Sequence, residues 1–228
     1  MIIALDGPAG SGKSTIARFL SKHLAIEYID SGAIYRTLTL HGIRQNKGNC
    51  EGHGKKVADY FSEFPQHLKA VYEDHSQTMY LHGKNVSAEI RNPIVTKQVK
   101  HIANNAECRN LTNSIMRNLS SKYDFVIDGR DIGTIVFPDT PFKFYLDAKP
   151  EIRATRRAKE LNIPQSGEKF QELLNDIQKR DAEDMAREIG PLRKAQGAIV
   201  VDTSMMDIDQ VVGYILKQFE SLKLAHSA

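Results

Sequence analysis

The sequence predicts an α/β fold in which a five-stranded parallel sheet is flanked by helices. Short apolar segments alternate with helical patterns over most of the chain, as expected when parallel strands are joined by helical crossovers. A glycine-rich turn joins the first apolar segment to the first helical pattern. The length of 228 residues suits one domain that carries an inserted part.

The first half of the chain contains two predicted strand–helix pairs. Apolar residues from Ile16 to Leu24 recur at helical spacing, and a second helical pattern follows Asp30. Between 47 and 54, three glycines and few apolar residues predict an exposed, mobile connection. The predicted elements are a strand over 1–6, a helix over 16–24, a strand over 26–29, a helix over 33–43 and a short helix near 57–64.

The region from His67 to Val86 departs from the helical pattern. Apolar and polar residues alternate along it, and the segment 82–85 has the composition of a turn. We therefore expect a small antiparallel sheet inserted in the domain. Asn92-Pro93 then begins a helix with proline at its first position, and one apolar stripe predicts that this helix runs toward Leu119.

The second half of the chain supplies three more predicted strands and three helices. Each strand is a short apolar segment, and the first two end in aspartate. The predicted strands are 125–127, 142–146 and 198–201. The predicted helices begin near 150 and 167, and a closing helix covers 211–222.

The composition excludes several classes of protein. Hydrophobic residues make up 41% and charged residues 26%, which is typical of a soluble globular protein. No apolar segment approaches the ~18 residues of a membrane span, and no secretory leader is visible. A formal net charge of +3 is too small to indicate nucleic-acid binding. We expect a cytoplasmic protein with no nucleic-acid or membrane partner.

The two cysteines do not form a recognisable redox or metal motif. Cys50 and Cys108 have no CxxC spacing and are expected to stay reduced, with a structural role or none. His41, Cys50 and His53 are close in sequence but match no metal-ligand spacing. We therefore predict that these three residues are solvent-facing loop residues.

The strongest chemical signal is the segment from Gly7 to Ser14, which fits the phosphate-loop pattern G-x-x-x-x-G-K-[ST] between a strand and a helix. Its glycines let backbone N–H groups surround phosphate oxygens. Lys13 adds a positive charge at the bridging phosphates, and Ser14 offers a hydroxyl to Mg²⁺. The alternative is a glycine-rich turn without a ligand.

Two further segments follow predicted strands, where ligands collect in open parallel sheets. The segment 30–36 contains Arg36, which either holds a second phosphate or is a solvated residue behind a helix cap. The segment 128–134 combines Asp128, Arg130 and Asp131 with two glycines. It is either a ligand-binding loop or a surface loop whose charges neutralise one another.

Two helical segments carry arginines whose role the residues alone leave open. In the helix after 167, the apolar stripe through Ile177 continues as Arg180, Asp184 and Arg187. These three side chains either line a polar cleft or form a salt-bridge ladder. Near 150, three arginines (Arg153, Arg156 and Arg157) share one helical face and are either solvated or part of a lid over a triphosphate.

Taken together, these segments resemble the bacterial-type cytidylate kinases, which are nucleoside monophosphate kinases, over nearly the whole chain. The matching motifs, in the order of that family, are GPAGSGKST from Gly7, DSGAIYR from Asp30, SAEIR from Ser87, DGRDIGTIVFPD from Asp128 and RDAEDMAR from Arg180. The resemblance implies a P-loop kinase fold comprising a core, a nucleoside monophosphate-binding part and a helical lid. The implied bounds are 1–30, 120–148 and 190–228 for the core, 31–119 for the binding part with its insert at 64–90, and 149–166 for the lid.

The resemblance also implies roles for individual residues. The ATP-binding residues would be Gly7, Pro8, Ala9, Gly10, Ser11, Gly12, Lys13, Ser14 and Thr15. The CMP-binding residues would be Ser31, Arg36, Lys100, Arg109, Arg130, Asp131, Arg180, Asp184 and Arg187. Catalysis would involve Lys13, Arg130, Arg153 and Arg157. Mg²⁺ would contact Ser14 and, through water, Asp128, although Asp128 is equally well explained as a cap of its loop.

One position departs from the family pattern. Members commonly carry a serine near the cytosine where this chain has Lys100. A lysine donates hydrogen bonds and accepts none, so it can meet the cytosine carbonyl but cannot act as the acceptor that a hydroxyl provides. Altered pyrimidine preference is therefore an open alternative.

The reaction implied by the resemblance is transfer of the γ-phosphoryl group of MgATP to CMP or dCMP. We expect the protein to be a monomer. Phosphoryl transfer requires mainly alignment of two anions and stabilisation of their charge, which suits the many cationic candidates. Two alternatives are a kinase for another small acceptor and a nucleotide-gated module that binds RNA or protein. Dependence of ATP turnover on a nucleoside monophosphate separates the kinase from the gated module.

Overall fold

A computed structural model describes residues 1–227 and divides the chain into two units. The insert-bearing unit comprises Met1 and Leu24–Phe125. The phosphate-loop unit comprises Ile2–His23 and the chain from Val126 onward. The last residue of the predicted core, Ala228, lies outside the described residues.

The elements alternate as the sequence predicts. The strands are β1 Ile2–Asp6, β2 Glu27–Asp30, β3 Leu68–Glu73, β4 Ser76–Leu81, β5 Lys84–Asn85, β6 Phe125–Gly129, β7 Phe142–Asp147 and β8 Ile199–Asp202. The helices are α1 Lys13–Leu24, α2 Ser31–Gln45, α3 Gly54–Glu63, α4 Pro93–Ala103, α5 Ala106–Ser120, α6 Pro150–Glu160, α7 Glu168–Met185 and α8 Ile208–Ser227. Short 3₁₀ turns at Pro65–His67 and Glu89–Arg91 and a π-helical turn at Ile132–Val136 complete the list.

The predicted five-stranded sheet is confirmed, with strand order β2-β6-β1-β7-β8. β1 pairs in parallel with β7, with Ile3 opposite Phe142, and β7 pairs in parallel with β8, with Phe144 opposite Ile199. The middle strands consist almost entirely of buried apolar residues, which is the pattern of parallel strands covered on both faces. The carboxyl end of β6 carries Asp128 of the predicted site.

The predicted antiparallel insert is confirmed as a separate three-stranded sheet in the order β3-β4-β5. Leu68 lies opposite Leu81, and Tyr80 lies opposite Asn85. His82 and Gly83 both have positive φ in the tight turn that joins β4 to β5.

The single long helix predicted from Pro93 toward Leu119 is wrong. The structure has two helices, because Asn104 ends α4 and Asn105 begins α5. The Asn105 side chain accepts a hydrogen bond from the backbone N–H of Cys108 at 3.0 Å. This N-cap offers the backbone an alternative to a continuous helix, and the unbroken apolar stripe conceals it.

The predicted exposure of His41 and Cys50 is also wrong. His41 lies within α2 and is 3% exposed, and Cys50 is fully buried. The backbone N–H of Cys50 donates to Gln98 Oε1 at 2.7 Å, which holds this point of the otherwise exposed connection against α4. Cys50 and Cys108 are both free thiols, as predicted. Within residues 1–227 no helix is long and apolar enough to span a membrane.

Candidate active site

The phosphate loop connects β1 to α1 and has the conformation that its glycines permit. Gly7, Gly10 and Gly12 all have positive φ. A Cβ atom at Gly7 would overlap the carbonyl oxygen of Leu146, so a side chain is excluded there for steric as well as conformational reasons. The loop ends at Lys13, the first residue of α1, so that the N-terminus of this helix follows the loop directly.

Lys13 is a buried cation within this loop. Its Nζ donates to the carbonyl oxygen of Pro8 at 2.6 Å and to Ser11 Oγ at 3.2 Å. Burial, together with the positive charge of Arg130, holds the pKa of Lys13 well below its usual value. Because both hydrogen-bond acceptors are neutral, an anionic phosphate in the loop would compensate this charge better than they do.

Ser14 and Asp128 form the pair that the sequence predicts for a metal ion. Ser14 Oγ donates to Asp128 Oδ2 at 3.0 Å, and Asp128 is buried at the end of β6. A hydroxyl and a carboxylate are hard oxygen ligands of the kind that Mg²⁺ prefers. Within residues 1–227 no group of three histidine, cysteine or acidic side chains could hold a metal. Any Mg²⁺ here would therefore need substrate or water oxygens as additional ligands.

The loop after β6 is held by a buried carboxylate on the neighbouring strand β1. Asp6 accepts hydrogen bonds from the backbone N–H groups of Ile132 at 2.9 Å and Gly133 at 2.7 Å. Burial raises the pKa of Asp6 to about 6, although these two hydrogen bonds oppose the shift. The Asp6 carboxylate thereby fixes the π-helical turn directly after Arg130 and Asp131.

Arg130 and Arg187 share one aspartate. Arg130 Nε donates to Asp184 Oδ2 at 2.8 Å, and Arg187 Nη2 donates to Asp184 Oδ1. Burial opposes ionisation of Asp184, but Arg130, Arg187 and Arg180 together hold its pKa below the usual value. The predicted helical stripe is wrong in one detail, because α7 ends at Met185 and Arg187 lies beyond it. The chain turns after Met185, and the Arg187 guanidinium still contacts Asp184.

The three arginines of α6, which the sequence places on one helical face, do not share one environment. Arg153 is 3% exposed, pairs with Asp181 at 2.6 Å and donates to the carbonyl oxygen of Ala9 in the phosphate loop at 3.0 Å. Arg156 donates to Thr203. Arg157 is half exposed and pairs with Glu160 at 2.7 Å. The structure therefore brings Arg153 to the loop and leaves Arg157 at the surface of α6.

The insert-bearing unit holds four predicted acceptor residues. Ser31 and Arg36 lie in the first turns of α2, where the Asp30 carboxylate caps the helix by accepting from the N–H of Ala33 at 2.9 Å. Arg109 is buried, donates to the carbonyl oxygen of Ala103 at 3.0 Å and lies 5.6 Å from the centre of the Tyr35 ring. The fourth, Lys100, is exposed on α4.

Comparison with known proteins identifies the family of this chain. The family model described as cytidylate kinase matches residues 3–221. The chain belongs to the cytidylate kinase family. A cytidylate kinase of Clostridium tetani is 40% identical over 221 residues, which cover 97% of this chain and 94% of the relative. A cytidylate kinase of Clostridium acetobutylicum is 42% identical over 223 residues, which cover 97% of this chain and 98% of the relative.

Among solved structures, an uncharacterized protein from Eubacterium ventriosum shares the fold, with a TM-score of 0.53 at 14% identity. The match covers 97% of this chain and 99% of that chain. As a cytidylate kinase family member, the chain is an ATP-dependent nucleoside monophosphate kinase that phosphorylates CMP or dCMP. The expected family, fold class and reaction are thus confirmed.

Sequence reasoning missed two aspartates of this cytidylate kinase site. Asp181 pairs with Arg153, and Asp6 holds the turn after Arg130 and Asp131. Asp181 comes three residues before Asp184, so the two carboxylates lie one above the other on α7, and this i,i+3 spacing was available as a signal. For Asp6 the signal was a charged residue that ends an otherwise apolar strand.

Proposed function

We propose that Gly7–Thr15 bind the phosphates of ATP and that Lys13, Arg130, Arg153 and Arg157 stabilise the transferring phosphoryl group. The observation that carries this proposal is that two buried cations contact neighbouring carbonyls of one loop. Lys13 donates to Pro8, and Arg153 donates to Ala9. Arrangements of this kind stabilise charge that spreads over phosphoryl oxygens in the transition state.

We infer that the donor is used as its Mg²⁺ complex, with Ser14 Oγ as a direct ligand and Asp128 acting through water. The support is the hydrogen bond between these two side chains, which places a hydroxyl and a carboxylate beside the loop. When bound, Mg²⁺ neutralises phosphate charge and orients the triphosphate. Asp128 therefore serves as an orienting carboxylate and not as a general base.

We propose that the acceptor nucleotide is bound by the residues that the family resemblance implies. The acceptor phosphate is bound by Arg36, Arg130 and Arg187, and the sugar hydroxyls by Arg180 and Asp184. Ser31 lies beside the nucleoside. Arg109 and Asp131 recognise the cytosine edge, and Lys100 meets the cytosine carbonyl. The low pKa of Asp184 supports its role, because an ionised carboxylate is a strong acceptor for sugar hydroxyl protons.

The reaction needs positioning more than proton removal. An oxygen of the acceptor phosphate is already a nucleophile and attacks the γ-phosphorus of ATP while the bond to ADP breaks. Lys13, Arg130 and Arg153 supply fixed positive charge, and the ion pairs of the two arginines with Asp184 and Asp181 keep them in place. The protein therefore contributes alignment and charge stabilisation without a catalytic base.

We propose that residues 149–166 form a lid over ATP, with the core and the nucleoside monophosphate-binding part bounded as the resemblance implies. Closure would exclude water, which otherwise accepts the phosphoryl group. Arg157 lies on the exposed side of α6, so its contact with the transferring group would require such a motion. The expected protein is a cytoplasmic monomer that acts on small nucleotides and binds neither nucleic acid nor membrane.

The decisive experiment measures ADP formation from MgATP with CMP, dCMP, UMP, AMP, GMP or no acceptor, and identifies the diphosphate product directly. We expect turnover with CMP and dCMP well above that with the others. Strong turnover with UMP would make Lys100 the first residue to mutate, and a Lys100→Ser variant should restore the preference for cytosine if this lysine relaxes selectivity. ATP hydrolysis without any dependence on an acceptor would instead favour the nucleotide-gated module.

A further inference from the structure

The segment Ser87–Arg91 is the one family motif to which the proposed function gives no role. It lies in the insert-bearing unit, as do Ser31 and Arg36 of the proposed acceptor site. Its last residue, Arg91, contacts Asp30, the last residue of β2, and α2 begins directly after it at Ser31. The inference below rests on the proposed acceptor role of Arg36.

The contact is made by Asp30, whose two carboxylate oxygens have different partners. Oδ1 accepts from the N–H of Ala33 at 2.9 Å and caps α2. Oδ2 accepts from Arg91 Nη2 at 3.0 Å. The Asp30 side chain is 9% exposed and that of Arg91 is 54% exposed, so the aspartate is the fixed partner and the arginine reaches it from solvent.

Arg36 approaches the same carboxylate from the second turn of α2. A Cβ atom at Gly32 would lie 2.7 Å from Arg36 Nη1 and 3.1 Å from Asp30 Oδ1. The Arg36 guanidinium is therefore folded over Gly32, and a methyl group there would displace it. Two guanidinium groups, of Arg36 and Arg91, are thus held near one buried carboxylate.

The inserted sheet also fixes the backbone of Asp30. The backbone N–H of Asp30 donates to Gln77 Oε1 on β4 at 2.7 Å. β4 is in turn connected to the Ser87–Arg91 segment, because the N–H of Met79 donates to Ser87 Oγ at 2.9 Å. The segment therefore reaches Asp30 both directly, through Arg91, and through β4.

We propose that Arg91 is a positioning residue that keeps Arg36 available for the acceptor phosphate by compensating the charge of Asp30. A carboxylate shared by two guanidinium groups binds each less strongly than a carboxylate that has only one. Without Arg91, Asp30 pairs with Arg36 alone, and the acceptor phosphate must then break that pair. Arg91 acts through Asp30 and makes no contact with substrate in this scheme.

The test is a double-mutant cycle read out as steady-state constants for CMP. Arg91→Met keeps most of the side-chain length and removes the charge. We expect it to raise KM for CMP about fivefold to tenfold with kcat within about twofold, because only binding of the acceptor has to compete with the Asp30–Arg36 pair. The KM for ATP should not change.

Adding Asp30→Asn to Arg91→Met should restore KM for CMP to within about twofold of the unmodified protein, because asparagine still caps the helix but no longer attracts Arg36. A merely structural role for Arg91 predicts no such rescue. Arg44→Met is the matched control. It breaks the Arg44–Glu89 ion pair, which joins α2 to the same 3₁₀ turn, and should leave KM for CMP unchanged.

Two outcomes would overturn the inference: an unchanged KM for CMP in Arg91→Met, or a raised KM that Asp30→Asn fails to rescue. The second would instead indicate direct contact of Arg91 with the phosphate or a structural role. Arg36→Met separates this failure from failure of the proposed function. If Arg36→Met leaves KM for CMP unchanged, the acceptor assignment itself is wrong, whereas an impaired Arg36→Met beside a normal Arg91→Met rejects the role of Arg91 alone.

Discussion

The two units of this kinase hold their functional cations in different ways. In the phosphate-loop unit, Arg130 and Arg187 are bound to Asp184, and Arg153 is bound to Asp181. Both aspartates are buried. In the insert-bearing unit, Arg109 donates to a backbone carbonyl and lies over an aromatic ring. Arg36 lies at a capped helix start, near the Asp30 carboxylate whose partner Arg91 is half exposed.

The difference indicates where each unit is sensitive to mutation. Removing one partner of a buried ion pair leaves an uncompensated charge and strongly destabilises the fold. A helix cap contributes only about 1 kcal/mol, so a helix start can change with little effect on folding. Variants of the phosphate-loop unit should therefore affect turnover and stability together, and variants of the insert-bearing unit should affect mainly acceptor binding.

The largest expected effect is loss of turnover in Lys13→Met. The buried ammonium is a fixed positive charge inside the loop, so its removal should lower kcat on the order of 10³-fold. Steady-state ADP formation at saturating CMP measures this change. Lys22→Met at the exposed end of α1 is the matched control and should behave as the unmodified protein. Wild-type turnover in Lys13→Met would reject the phosphate-loop assignment.

The comparison of Arg153 with Arg157 separates buried from exposed ion pairs on one helix. Arg153→Ala leaves Asp181 buried without this partner and should lower the free energy of unfolding by about 3 kcal/mol. Arg157→Ala breaks an exposed i,i+3 pair and should change it by less than about 0.5 kcal/mol. Urea denaturation of both variants measures the difference. Equal losses would contradict the burial of Arg153.

Arg130→Ala tests whether Arg130, one of the two arginines that share Asp184, contributes to catalysis. We expect turnover at saturating CMP to fall about 100-fold, because the proposed partner of Arg130 is the acceptor phosphate in the transition state. The KM for ATP should change much less. Initial rates with each substrate varied in turn provide both constants, and unchanged turnover would remove Arg130 from the mechanism.

The last prediction concerns stability: the free energy of unfolding should depend on pH with opposite signs in the two units. Burial, with smaller contributions from His82, Arg44 and His67, lowers the pKa of His41 from 6.5 to about 4. The unfolded insert-bearing unit therefore takes up a proton that the folded unit excludes, and the stability of this unit falls as pH drops from 6.5 to 4.

In the phosphate-loop unit, burial raises the pKa of Asp6 from 3.8 to about 6. The folded unit therefore retains a proton that the unfolded unit loses, and the stability of this unit rises as pH drops from 6 to 4.

Each contribution should amount to about 2 to 3 kcal/mol over its range, at 1.4 kcal/mol for one pKa unit. Native-state hydrogen exchange, corrected for intrinsic rates, reports the two units separately. The dependence should disappear from the insert-bearing unit in His41→Gln and from the phosphate-loop unit in Asp6→Asn. The same sign of pH dependence in both units would contradict the two pKa assignments.

Much of the fold could be predicted because its signals are local in sequence. The strand–loop–helix of the phosphate loop is contiguous, and the alternation at 67–86 followed by a turn specifies the inserted sheet. The break between α4 and α5 escaped prediction for a local reason as well. A capping asparagine interrupts the backbone without interrupting the apolar stripe, so hydrophobic periodicity alone cannot detect it.

Local sequence patterns specify the order of most strands and helices, the phosphate loop and the types of residue that follow each strand. Tertiary packing specifies which charged groups act together. Arg153 and Arg157 are four residues apart on one helix, and the packing of α6 on α7 buries the first against Asp181 and leaves the second in solvent. Pairing partners such as Asp6 and the turn at Ile132 are 126 residues apart. Burial and partner choice depend on how distant elements pack, which local patterns do not encode.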